Sequence, residues 1–131
     1  MKSTVLIVDD QRSIVDLWSR ILTNAGYRVA RAADAFEALL ELSRCRPGVA
    51  VCDVHLPGPS GLWLAEFLRE QSPTTAIVLA SGDPFVPPRE TLRPGVVAYL
   101  LKPISREDLL AAVRMGLAWS VDRSHALKAE A

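Results

Sequence analysis

No run of apolar residues in this chain approaches the ~20 that a membrane-spanning helix requires, so membrane insertion as a helix is excluded by the sequence. Cysteine is nearly missing as well. The only two, Cys45 and Cys52, match neither a zinc-site nor a thioredoxin-like spacing. Cys52 lies within an apolar run and reads as a small core residue. Net charge is absent, since 15 basic residues balance 15 acidic ones, and no overall field draws the chain to nucleic acid or anionic lipid. There is no signal-peptide pattern, because Met1-Lys2-Ser3 leads directly into four apolar residues. The expectation is a cytoplasmic protein with no membrane and no direct nucleic-acid contact. Internal repeats, linkers and low-complexity tracts are also missing, and the 131 residues hold no helix-turn-helix or catalytic-domain pattern, so the chain is expected either to work alone or to be the front piece of something longer.

What remains is a chain of 131 residues, half of them hydrophobic and 23% charged, a composition typical of one globular domain. At this size roughly two-thirds of the unfolded surface is buried on folding, so no covalent staple is needed. Four apolar runs carry the functional signal. Val5-Leu6-Ile7-Val8 runs into Asp9-Asp10, and Val49-Ala50-Val51-Cys52 into Asp53. Ala76 to Ala80 stops at Ser81, and Val97 to Leu101 stops at Lys102-Pro103. Helical patterns alternate with these runs, which is the signature of a parallel sheet wrapped by helices.

After Asp10, the residues Ile14, Leu17, Trp18, Ile21 and Leu22 recur at helical spacing, and Gly26 supplies a stop. Tyr27 to Arg31 reads as the second strand. Asp34 with Glu37 has capping-box spacing for a helix reaching about Arg44. Ser60 caps a helix over Gly61 to Gln71 with Leu62, Ala65 and Leu68 inward. Ser105 and Asp108 open the last helix, whose buried stripe reads Leu110, Val113, Leu117 and Val121. The stretch Asp83 to Gly95 holds Pro84, Pro87, Pro88 and Pro94, and an interior proline costs a helix about 3 kcal/mol. A short helical turn around Pro88 to Arg93 is expected there in place of a full helix. Residues 1–125 thus form one domain, and 126–131 a polar tail.

If the runs are neighbouring parallel strands, their carboxyl ends meet at the edge where open α/β sheets bind ligands. Three bare carboxylates gathered there would repel, each pair by about 4 kcal/mol at ~4 Å and an effective dielectric of ~20. A hard divalent cation such as Mg²⁺ resolves this, and carboxylates plus waters are its usual ligands. The cluster with Lys102 also suits an incoming phosphoryl group, whose transfer needs charge neutralised and the donor held in line. Asp53 is then the natural nucleophile, because a carboxylate can take a phosphoryl group as an acyl phosphate.

Val8-Asp9-Asp10, Asp53-Val54-His55-Leu56-Pro57 with Gly61, Ala80-Ser81-Gly82 and Tyr99-Leu100-Leu101-Lys102-Pro103 together resemble the receiver domain of bacterial two-component response regulators. The resemblance covers Ser3 to about Arg114 in order. It implies a flavodoxin-like fold, with a five-stranded parallel sheet of order 2-1-3-4-5 and five flanking helices, the fourth short or irregular. It implies that Asp53 accepts the phosphoryl group from a sensor histidine kinase or histidine phosphotransfer protein. Asp10, Asp53 and the backbone carbonyl of His55 would hold Mg²⁺, with Asp9 acting mainly through water. Ser81 and Lys102 would contact phosphoryl oxygens, Tyr99 would be the aromatic switch, and Lys102-Pro103 would be cis.

His55 and Asp83 lie two residues beyond Asp53 and Ser81, where they could screen the acyl phosphate from water and tune its lifetime. The chain would catalyse only its own phosphorylation and dephosphorylation, then act on a downstream protein partner or through a phosphorylation-dependent dimer. Two other classes stay open. An aspartyl phosphatase commonly wants a second acid where His55 stands, and an interaction module would have given up phosphorylation. Trp63 with Phe67, and Trp119, are partner-site or packing residues.

Overall fold

The computed structural model describes residues 2–85 and 93–130. Five strands, β1 (Thr4–Val8), β2 (Arg28–Ala32), β3 (Val49–Asp53), β4 (Ala76–Ser81) and β5 (Val96–Leu101), form one parallel sheet of order β2-β1-β3-β4-β5. The helices among the described residues are α1 (Arg12–Asn24), α2 (Ala35–Cys45), α3 (Gly61–Gln71) and α4 (Arg106–Glu130). The sheet order is the expected one. The turn expected at Pro88 to Arg93 falls, save Arg93, outside the described residues.

Side chains alternate across a strand, so each central run feeds two cores. Val5, Ile7, Val49, Val51, Val78 and Ala80 pack under α1 and α4 against Trp18, Leu22, Leu109 and Val113. Leu6, Val8, Ala50, Cys52, Ile77 and Leu79 pack under α2 and α3 against Ala38, Leu64 and Leu68. Burial on both faces explains why β1, β3 and β4 read as unbroken apolar runs. Cys52 is fully buried as expected, and its burial, with Asp53 adjacent, pushes the thiol up to about 12.

The helix starts follow the caps. Asp34 accepts the Glu37 amide while the Glu37 carboxylate reaches back to Ala33 N–H. Ser60 Oγ accepts from Trp63 N–H, and Ser105 Oγ from Asp108 N–H. Gly26, at φ 97°, ends α1 in the left-handed region that glycine tolerates.

Four details differ from the sequence reading. Leu17 is 49% exposed, and Val15 takes the inward position beside Trp18 and Leu22. The second strand starts one residue late because the Tyr27 amide is still tied to Leu22 O at the end of α1. On α3, Leu64 is fully buried alongside Ala65 and Leu68. On α4, the buried set is Leu109, Leu110, Ala112, Val113 and Gly116, whereas Val121 is 54% exposed, and residues 126–130 continue the helix. Length explains the last point: 25 helical residues span ~37 Å, against ~20 Å for a six-residue strand, so the end of α4 overhangs the sheet.

Candidate functional site

Each strand ends at its apolar run or one residue beyond it, which delivers Asp9, Asp10, Asp53, Ser81 and Lys102 to one rim. Asp9 and Asp53 are 1% and 5% exposed, whereas Asp10 is open to solvent. Local backbone amides aim the buried pair. Gln11 N–H donates to Asp9 Oδ1 at 2.8 Å, and His55 N–H to Asp53 Oδ1 at 3.0 Å. Their other oxygens share one cation, since Lys102 Nζ donates to Asp9 Oδ2 at 2.7 Å and to Asp53 Oδ2 at 3.1 Å.

Lys102 reaches this point from the end of β5, where its amide bonds Ser81 O at 2.8 Å and its bond to Pro103 is cis as expected. Its ammonium also lies 5.8 Å from the Trp18 ring centroid, within range of a cation–π attraction. Burial alone would lower the lysine pKa, but hydrogen bonds and charge attraction from Asp9 and Asp53 outweigh it, and the net shift is upward.

Oxygens of Asp9, Asp10 and Asp53 lie within 4.8 Å of one another. By formal charge, three carboxylates against one ammonium leave two negative charges, so the residues present fit a hard divalent cation. The mouth is a cleft of about 360 Å³ bounded by Asp10, Asp53, His55, Gly82, Asp83 and Lys102.

The remaining residues gather around Asp83. Ser81 is fully buried, and its Oγ accepts the Asp83 amide at 2.9 Å. Tyr99 is half-buried, and its hydroxyl reaches Asp83 O at a long 3.5 Å. His55 Nε2 stands 3.9 Å from Asp83 Oδ2, with both side chains well exposed. Asp83 Oδ1 accepts from Phe85 N–H at 2.8 Å, holding the turn that follows Ser81.

Two contributors carry roles the sequence did not disclose. Gly61 opens α3 directly under the acceptor, and a Cβ there would stand 2.1 Å from the Asp53 carbonyl oxygen. Trp18 was legible only as an apolar helix residue; nothing in its spacing announces the ammonium above it. Trp63 and Phe67 lie outside the site, stacked at 5.6 Å between ring centroids.

A family model for the response regulator receiver domain matches residues 5–114. The regulatory protein VanR of Enterococcus faecium is 33% identical over 117 residues, 89% of this chain and 51% of VanR. The DNA-binding response regulator MtrA of Mycobacterium tuberculosis is 29% identical over 89% of this chain and 51% of its own length. The chain therefore spans about half the length of the curated relatives it matches. Among solved structures, the chemotaxis response regulator CheY4 of Vibrio cholerae superposes with a TM-score of 0.80 at 33% identity, covering 89% of this chain and all of CheY4. A CheY-like receiver domain from Methanospirillum hungatei gives 0.86 at 29% identity, over 93% of this chain and 98% of that one.

Proposed function

We propose, from the premise that this chain belongs to the response regulator receiver family, a phosphoacceptor switch in which Asp53 is the acceptor. The observation that carries the assignment is the shared clamp on Lys102: Asp53 is held by one cation, next to two further carboxylates, at the floor of an open cleft. An Asp53 oxygen attacks the phosphorus of a phosphohistidine on a sensor kinase or phosphotransfer protein. The P–N bond breaks, the imidazole leaves, and an acyl phosphate forms on Asp53.

Asp10, Asp53 and the His55 backbone carbonyl would hold Mg²⁺, with Asp9 supporting it through water. When bound, the cation neutralises charge on the phosphoryl oxygens. Lys102 does the same from the β5 side, and doing so means yielding part of its hold on Asp9 and Asp53. The new group brings roughly −1.5 to −2 charge and three strong acceptors. Ser81 Oγ would turn to one of them and give up the Asp83 amide. That frees the segment to which the Tyr99 hydroxyl is loosely tied, so the two strand ends move together toward an output surface.

The chemistry is self-directed: one phosphoryl group per chain, with no external ester turned over. His55 and Asp83 flank the mouth, where they would limit water's approach to the acyl phosphate. Among the described residues no helix is long and apolar enough to cross a membrane, and we assign the chain to the cytoplasm. DNA binding belongs to relatives such as MtrA; the output partner of this chain is a protein or a second copy of itself.

Intact-mass spectrometry after incubation with acetyl phosphate and Mg²⁺ tests the reading. One phosphoryl group should appear on the parent chain and none on Asp53→Asn. No addition to the parent overturns it, and so does an undiminished addition to the variant.

A further inference from the structure

The opposite rim of the sheet carries a second concave site. It is a cleft of about 420 Å³ where α3, α4 and the amino ends of β4 and β5 meet. Arg69, from the last turn of α3, and Arg123, from α4, both line it. Among the described residues neither guanidinium has a hydrogen bond or an ion pair. Trp119, half-buried and packed on the core under α4, lines the same cleft.

The walls are braced. Ser120 Oγ donates to Thr74 O at 2.5 Å, and Thr75, only 3% exposed, donates its hydroxyl to Pro47 O at 2.8 Å. Gly95, at φ 88°, lines the cleft beside Trp119.

Two cations line one cleft, neither paired among the described residues, and the described lining holds no acidic side chain, so its charge is one an anion would balance. Guanidinium groups favour planar oxyanions, which they bind with paired hydrogen bonds. The volume lies within the ~300–1,000 Å³ of small-molecule sites, more than a bare phosphate fills, and the indole offers a flat face for a ring to stack on. We propose that this cleft binds a small aromatic oxyanion of the mononucleotide class, its phosphate held by Arg69 and Arg123 and its base laid against Trp119. The site lies at the far end of the strands from Asp53. Its ligand therefore does not compete with phosphoryl transfer, and the proposal stands apart from the phosphoacceptor reading.

The test is a ¹H–¹⁵N titration of the full chain with AMP and with GMP, without Mg²⁺ so that the acidic rim cannot recruit the nucleotide. Inorganic phosphate and adenosine serve as the two half-ligands. Saturable shifts should appear at the Thr75 and Gly95 amides and the Trp119 indole N–H, with both half-ligands at least about tenfold weaker. The double variant R69Q/R123Q should weaken nucleotide binding by about tenfold or more, while acetyl phosphate still loads Asp53 at the parent rate. If that variant loses its native circular dichroism, R123Q alone is read in the same way. No shift at those three positions, an unchanged affinity in the variant, or phosphate binding as tightly as the nucleotide would each overturn the proposal.

Discussion

The acceptor half of the site and its responding half are built differently. Asp9 follows β1 and Asp53 ends β3, strands whose apolar residues are fully buried, and their bonds to backbone and lysine run from 2.7 to 3.1 Å. Tyr99 sits on β5, an edge strand that is half-exposed along its length, and its hydroxyl contact is 3.5 Å. Ser81 stands between them, fully buried, its Oγ accepting the amide of Asp83 in the turn that follows β4. The difference teaches where each job is done. Receiving a phosphoryl group needs pre-set geometry, which a buried strand end supplies. Passing on the change needs an element that can shift at low cost, and an edge strand with a weak polar contact has less to lose.

Removing the shared cation strikes the acceptor half hardest. Lys102→Met leaves two buried carboxylates without their partner, a loss of about 3–5 kcal/mol for a broken buried pair, measurable by denaturant unfolding at neutral pH. The pH dependence has a definite sign. Lys102 has its pKa raised in the folded state, so its contribution is complete below the ordinary lysine value of ~10.4. It is lost as pH climbs through the raised value, and parent and variant should converge only there. A constant gap across that alkaline range would show that the ion pair is not what the variant removes.

Gly61→Ala attacks the same half through packing. Its Cβ would meet backbone rather than a side chain that can swing away, so a cost of about 1–3 kcal/mol is expected, together with slower loading of Asp53. Full stability in that variant would mean that α3 does not brace the acceptor as tightly as the contact requires.

The responding half should be gentler to perturb. Ser81→Ala loses one buried hydrogen bond, about 1 kcal/mol. Tyr99→Phe removes only a contact at the outer limit of hydrogen-bond length and should cost under ~0.5 kcal/mol. Both should still be phosphorylated at Asp53, yet show a smaller phosphorylation-dependent shift of the β5 amides by NMR. If Tyr99→Phe proved as damaging as Lys102→Met, the division into a rigid and a yielding half would fail. The smallest expected effect belongs to His55→Ala: unchanged stability and a few-fold shorter acyl-phosphate lifetime. An unchanged lifetime would remove the pair with Asp83 from the account.

Much of this was legible beforehand because parallel sheets leave a strong trace. Strands buried on both faces must be apolar throughout, so β1, β3 and β4 announced themselves, and the residue ending each run marked the rim. Capping pairs such as Asp34 with Glu37, and Ser105 with Asp108, located helix starts because they satisfy local backbone donors. The inward face of α1 was harder to read. Leu17 and Val15 are both apolar, and only the packing of the helix on the sheet decides that Val15 is covered and Leu17 is left at the surface. The length of α4 escaped for a similar reason, since its overhanging end gains no core contact that periodicity could register.

The chain's order of residues determined by itself the elements, the parallel sheet and the identity of the acidic, hydroxyl and basic groups at its carboxyl rim, because these follow from local pattern and strand period. Tertiary structure alone decided that Lys102 bridges Asp9 and Asp53, that Asp83 links Ser81 to Tyr99, and that Gly61 must lack a side chain. It also decided that Arg69 and Arg123 face one cleft. Most of these join residues far apart along the backbone, such as Lys102 with Asp9 and Tyr99 with Asp83, and their distances exist only once the separate strands and helices have packed.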